Sequence, residues 1–226
     1  EISVGVDYQH GPMAVLVSRI IESHHGYCFL ESQACGYVSE AQIENKAARI
    51  KCGRQIGFRG VKQGGETRFF YKTARVLARI AIEQAAQRND DVVAVLFRDA
   101  DGTASSDRGE WEAKRQSMIN GFDMENFAHG VPMIPNPKSE AWLICALKET
   151  PYQGCEALEG RSGNDDSPNS LKKELETILS GKDPGDRESL RERLNALVAD
   201  GVDFRKISMP SFVAFREHLE RAITLL

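Results

Sequence analysis

Val92-Val93-Ala94-Val95-Leu96-Phe97-Arg98-Asp99-Ala100-Asp101-Gly102 carries a run of buried-strand character straight into a turn that holds two carboxylates one residue apart. An unbroken apolar run rich in β-branched residues suits a strand covered on both faces, as parallel strands are. In an open α/β sheet, ligands gather outside the carboxyl ends of the strands, so Asp99 and Asp101 are placed to hold a hard divalent cation such as Mg²⁺. Asp and Gly also favour turns for local reasons. Two acids at the mouth of an apolar strand nevertheless repel each other unless a cation or a basic group offsets them.

Outward from this strand, the chain alternates. Ile2 to Val6 reads as a short buried strand, and from Met13 the apolar positions Leu16, Val17, Ile20 and Ile21 recur at helical spacing. Tyr27 to Leu30 reads as a second short strand. The segment after it shows no clean period until Thr73, where Val76, Leu77, Ile80 and Ala81 resume a helical face through Arg88. Past the central strand, Asp107 to Phe122 reads as a helix and Val131 to Ile134 as the next strand. Ser139 then N-caps a helix from Glu140 to Leu147, with Pro137 blocking an earlier start. Pro151 to Pro168 is a polar loop, followed by helices over Asn169 to Leu179, Arg187 to Asp200 and Ser211 to Leu225. The expected architecture is an α/β domain over residues 1–150, a mostly parallel sheet with helices on both faces, with a helical C-terminal extension over 151–226 packed on it.

Composition bounds the class. With 226 residues, 41% apolar and 27% charged, the chain has room for one substantial core, and no apolar run approaches the ~20 residues that span a bilayer, so no membrane role is expected. Glu1 to Val6 lacks the basic start and long apolar centre of a secretory signal, which makes the cytoplasm the default location. Five cysteines without a Cys-x-x-Cys indicate neither a disulfide framework nor a zinc ribbon. His24-His25 near Cys28 lack the second ligand pair that a metal site needs.

The formal net charge of −4 hides an asymmetry. Between Glu44 and Arg79 stand ten basic residues against two acids, a net of +8, so the rest of the chain carries −12. This stretch interleaves its charges with Gly53, Gly57, Gly60, Gly64, Gly65 and with Phe58, Phe69, Phe70 and Tyr71. Charge for a phosphate backbone, glycine for close approach and rings for stacking make it a candidate grip on a polyanion, with Arg54, Arg59, Lys62, Arg68 and Lys72 as its contacts. The alternative is a solvated basic surface on an acidic protein.

In a parallel sheet, acids that follow different strands converge on one edge. Asp7 follows the first strand, Asp99 and Asp101 the central one, and Glu140 opens the helix after the last. Four such oxygen donors suit one or two Mg²⁺ or Mn²⁺ ions, the device that activates water in phosphodiester cleavage. Lys138, in the same turn, could meet a phosphate as a point charge.

The order of an acid after the first strand, Asp-x-Asp after a later one and then Pro137-Lys138-Ser139-Glu140-Ala141-Trp142-Leu143 resembles the TOPRIM fold of topoisomerases, primases and OLD-type nucleases. It is most similar to a group of small TOPRIM-like proteins associated with bacterial defence islands. Ser211-Phe212, with Phe215 and Leu219, resembles the Ser-Phe signature near the end of those chains. The resemblance implies a Mg²⁺-dependent nuclease on nucleic acid, DNA ahead of RNA, acting in phage defence with a partner protein. Asp99, Asp101 and Glu140 would be metal ligands and Asp7 a ligand or general base. The chain departs from that pattern in having Asp7-Tyr8 where the family has Glu-Gly.

Two other readings attach to the same residues. Asp99-Ala100-Asp101-Gly102-Thr103 matches the first motif of the HAD phosphatases, in which the first Asp is a nucleophile and the second a general acid/base. That chemistry also needs a later Ser/Thr, a Lys and a further acidic pair, all at the ends of successive strands; downstream, Asp165-Asp166 is the one such pair, and no apolar strand precedes it. The last reading is a non-catalytic module in which the basic segment binds nucleic acid or a partner while the acids only shape turns.

Overall fold

The structure, a computed structural model, describes residues 9–32, 34–49, 65–100, 108–182 and 189–225. The expected first strand with Asp7, the second turn acid Asp101, and Arg54, Arg59 and Lys62 lie outside the described residues. The chain is mostly helical and carries a small parallel sheet, an α/β composition at the coarse level. It divides into two compact units, each drawn from stretches distant in sequence: one from within 38–97, 108–133 and 221–226, the other from within 1–37, 98–107 and 134–220.

The first unit holds α2 (Glu40–Arg49), α3 (Gly65–Arg88), β1 (Ala94–Phe97), α4 (Arg108–Met124) and β2 (Gly130–Met133). β1 and β2 are parallel partners, in register from Ala94 opposite Gly130 to Phe97 opposite Met133. These are the two strands expected at Val92 to Arg98 and Val131 to Ile134. α3 buries Phe70, Ala74, Leu77, Ala78 and Ala81, positions that recur at three and four. Alanines on that face let α4 come close, and Gly121 marks the nearest approach, since a Cβ there would stand 2.5 Å from the Tyr71 carbonyl oxygen. Gly130 serves β2 in the same way, because an added Cβ would meet the Phe122 ring at 2.2 Å.

α2 falls in a segment without apolar periodicity, and a capping box starts it. Ser39 N–H donates to Gln42 Oε1 at 2.8 Å, and Gln42 N–H donates to Ser39 Oγ at 3.3 Å. Part of the basic stretch is occupied with internal pairing. Lys46 Nζ lies 2.5 Å from Glu83, while Arg75 and Arg79 both close on Glu125 at the end of α4, at 2.5 and 2.7 Å.

The second unit holds α1 (Pro12–His25), α5 (Ser139–Leu147), a 3-10 turn over Cys155–Gly160, α6 (Leu171–Lys182), α7 (Leu190–Gly201), a short 3-10 turn over Phe204–Lys206, and nearly all of α8 (Pro210–Thr224). α1 packs on α7, with Leu16, Val17 and Ile20 buried on the one and Leu194 and Val198 on the other, and α5 packs on α6. α5 is buried on every side from Ala141 to Leu147. Its Trp142 is fully covered, against Phe212 edge-on at 5.0 Å and Phe215 stacked at 5.7 Å. Aromatic side chains of this size contribute on the order of 1.5–3 kcal/mol each by burial. α7 begins with a capping box between Ser189 and Glu192.

Two expectations fail here. Tyr27 to Leu30 is not a strand. Gly26, at φ +75°, ends α1 in the left-handed region, and local bonds from Ser32 N–H to Cys28 O and Ala34 N–H to Phe29 O turn the chain instead of extending it. And where the cysteine count and spacing indicated no disulfide framework, Cys145 and Cys155 form one disulfide that joins α5 to the 3-10 turn, while Cys28 and Cys35 are free. No described helix is long and apolar enough to cross a membrane.

Candidate active site

The chain leaves β1 at Phe97 and β2 at Met133, and the two departing segments stay hydrogen-bonded: Ala100 N–H donates to Pro135 O at 3.0 Å. This pairing sets Asp99 beside the start of α5. Ser139 N–H donates to Asp99 Oδ1 at 2.9 Å, across 40 residues of sequence. The first N–H groups of a helix have no partner within it, so a carboxylate from a neighbouring loop satisfies one of them and meets the positive end of the helix dipole.

Ser139 is therefore not the N-cap expected from the sequence. Lys138 occupies that position in extended conformation and makes no side-chain cap, and the acceptor comes from Asp99. A distant carboxylate replaces the local hydroxyl because the loop after β1 already brings it to the helix start. Ser139 Oγ turns to Glu140 Oε2 at 3.5 Å.

Asp99, from the expected acid cluster, thus bonds the backbone of the residue before Glu140, and both carboxylates are half-buried. Carboxylate oxygens are the hard donors that Mg²⁺ and Mn²⁺ take, so the chemistry of this pair fits such an ion. Among the described residues no group of three or more His, Cys, Asp or Glu could hold a metal, and Asp7 and Asp101 lie outside those residues. Asp99 also has a structural task that needs no metal, as the cap of α5.

Lys138 stands in the same turn with its side chain only 16% exposed, and its Nζ lies 3.0 Å from Asp165 Oδ1. The sequence carries no local sign of that contact, since the partners are 27 residues apart. Asp165 sits in a loop organised by short bonds such as Asp166 N–H to Asn164 Oδ1 at 2.9 Å. Of the expected substrate contacts in the basic segment, Arg68 is exposed and Lys72 half-buried on α3, in the first unit.

The fold lowers the pKa of Glu125. Burial pushes its carboxyl up, but the hydrogen bonds from Arg79 and Arg75, with their charges, outweigh that and hold it below the ordinary value. It ties α3 to the end of α4, and this paired arrangement reads as architecture.

No family model, curated protein or solved structure matches the chain.

Proposed function

We propose that the chain is a metal-dependent phosphodiesterase acting on nucleic acid, with its site at the turn where Asp99 meets α5. The hydrogen bond from Ser139 N–H to Asp99 Oδ1 carries this reading, because it joins the two motifs on which the TOPRIM resemblance rests, Asp-x-Asp-Gly and Glu-Ala-Trp-Leu. In this reading β1 and β2 are neighbouring strands of a Rossmann-like parallel sheet, and Asp7, Asp99, Asp101 and Glu140 hold Mg²⁺ or Mn²⁺ at its edge. Such an ion, when bound, activates water and stabilises the leaving oxygen. The N-terminus of α5 orients Asp99 and favours anions, and Lys138 offers a cation in the same turn. Arg54, Arg59, Lys62, Arg68 and Lys72 grip the phosphate backbone, DNA ahead of RNA. A cytoplasmic role in phage defence beside a partner protein belongs to the same proposal, and its support is the resemblance.

The test is incubation of the purified chain with single- and double-stranded DNA and RNA oligonucleotides in Mg²⁺, Mn²⁺ or a chelator. Wild type should cut only with a metal, and Asp99→Asn and Glu140→Gln should not cut although they melt like wild type. Cutting that survives both substitutions, or no cutting with either metal, overturns the proposal.

One observation favours a second reading, the HAD-type phosphomonoesterase. The Lys and the acidic pair that such chemistry adds to Asp99-x-Asp101 have a counterpart here in the contact of Lys138 with Asp165. Release of phosphate from a small phosphomonoester, lost in Asp99→Asn, would select it. Binding of oligonucleotides without turnover of either substrate would select the non-catalytic module.

A further inference from the structure

Cys145 and Cys155 are bonded and almost completely covered, at 0% and 1% exposure. They close a short loop between the last turn of α5 and the start of the 3-10 turn Cys155–Gly160. Besides the disulfide, hydrogen bonds hold the first part of that loop: Tyr152 N–H donates to Cys145 O at 2.7 Å, Lys148 Nζ to the Gln153 carbonyl, and the Tyr152 hydroxyl accepts Asp203 N–H at 2.8 Å. Pro151, Gln153, Gly154, Glu156 and Ala157 are exposed, and Leu158 is the other buried side chain of the turn.

The far end of the turn does a second task. Glu159 Oε1 accepts both the backbone N–H of Ser211, at 2.7 Å, and its hydroxyl, at 2.5 Å, and Ser211 Oγ in turn accepts the indole N–H of Trp142 at 2.8 Å. Ser211 is 1% exposed, so without Glu159 its donors would be left inside the fold. The turn is thus fastened to α5 at both ends, covalently through Cys155 and through the Glu159, Ser211 and Trp142 chain.

We infer that the Cys145–Cys155 bond is a redox-sensitive latch that holds the Cys155–Gly160 turn, and with it the Glu159 cap on the start of α8. The reduced state is also provided for. The carbonyl oxygens of Cys145 and Gln153 lie 3.7 and 3.8 Å from Cys155 Sγ, acceptors that a disulfide sulfur cannot use and a thiol can. Because both sulfurs are covered, a reductant reaches them when the exposed loop opens. The reductant is a dithiol: its thiolate attacks one sulfur and breaks the S–S bond, its second thiol resolves the mixed disulfide, and two electrons and two protons end on Cys145 and Cys155 while the reductant becomes a cyclic disulfide.

The experiment uses the full chain with and without dithiothreitol. Digestion without reductant should yield one linked peptide pair containing Cys145 and Cys155, separated after reduction. Reduction should lower the melting midpoint by about 5–10 °C and raise amide exchange over 153–160 and at Ser211. The Cys145→Ala/Cys155→Ala variant should melt where reduced wild type does and ignore the reductant. If that variant does not fold, the exchange data on wild type decide. Unlinked cysteines in the unreduced digest overturn the inference. So does a linked pair whose reduction leaves exchange at 153–160 and Ser211 unchanged.

Discussion

Trp142 donates its indole N–H to Ser211 Oγ at 2.8 Å, inside the core and across 69 residues of chain. The Glu-Ala-Trp-Leu stretch and the Ser-Phe stretch, separate motifs in the sequence, are therefore two halves of one packing unit, with Phe212 and Phe215 closing on the Trp142 ring. Ser211 relays this bond to Glu159, so the hydroxyl is both acceptor and donor. Ser211→Ala strands the indole N–H in a dry site and should cost about 1–3 kcal/mol in urea denaturation. Trp142→Phe in the same background should cost less than it does in wild type, because the unsatisfied donor is then gone. Equal costs in both backgrounds would show that the bond carries no coupling energy.

Asp99 caps α5 whatever else it does. Asp99→Ala should lower stability by about 1 kcal/mol, the usual value of a lost cap, whereas Asp99→Asn keeps an acceptor for Ser139 N–H and should stay within a few tenths of wild type. Thermal melts of the two variants check this. Comparable losses in both would mean that the charge, through the helix dipole, matters more than the hydrogen bond.

Gly130→Ala should destabilise the sheet unit by roughly 1–3 kcal/mol, because the new methyl enters the space of the Phe122 ring. Phe122→Leu should relieve part of that cost in a double variant, measured as a coupling energy by denaturation. Gly121→Ala gains up to about 1 kcal/mol of helix propensity but drives its methyl against the Tyr71 backbone oxygen, which cannot rotate away, so a net loss is expected.

The carboxyl of Glu125 titrates below its ordinary value of 4.5 in the fold, so its contribution is complete above that value and disappears as pH falls through the lowered one. Stability should therefore fall as the solution is taken below pH 4.5, and Glu125→Gln should flatten that part of the profile. The variant also leaves Arg75, only 8% exposed, without its charge partner, at a cost of about 3–5 kcal/mol near neutrality. Melting midpoints of both proteins from pH 3 to pH 7 test the two statements together.

Periodicity and apolar runs made β1, β2, α1 and the helices α3 to α8 legible in the sequence, with most ends displaced by one to three residues, such as α4 ending at Met124 where the pattern put Phe122, while α3 begins at Gly65, eight residues before the Thr73 where the pattern put it. α2 carried its own mark in Ser39 and Gln42, a local cap with no apolar periodicity behind it. Tyr27 to Leu30 misled because four apolar residues have too little length to separate a strand from a turn, and Gly26 decided for the turn. Of the acid cluster, the structure joins Asp99 to the helix of Glu140, while Asp7 and Asp101 lie outside the described residues.

By itself, the sequence determined what is settled within a few residues: which segments coil or extend, where a cap such as Ser189 with Glu192 starts a helix, and where Gly26 stops one. Only the tertiary structure decided which distant groups meet. Asp99 rather than Ser139 caps α5, Lys138 finds Asp165, and Cys145 takes Cys155 from among five cysteines. Local preferences arise from torsions and bonds spanning one helical turn, whereas a long-range partner is chosen by packing, after the core has closed the loop between the two ends.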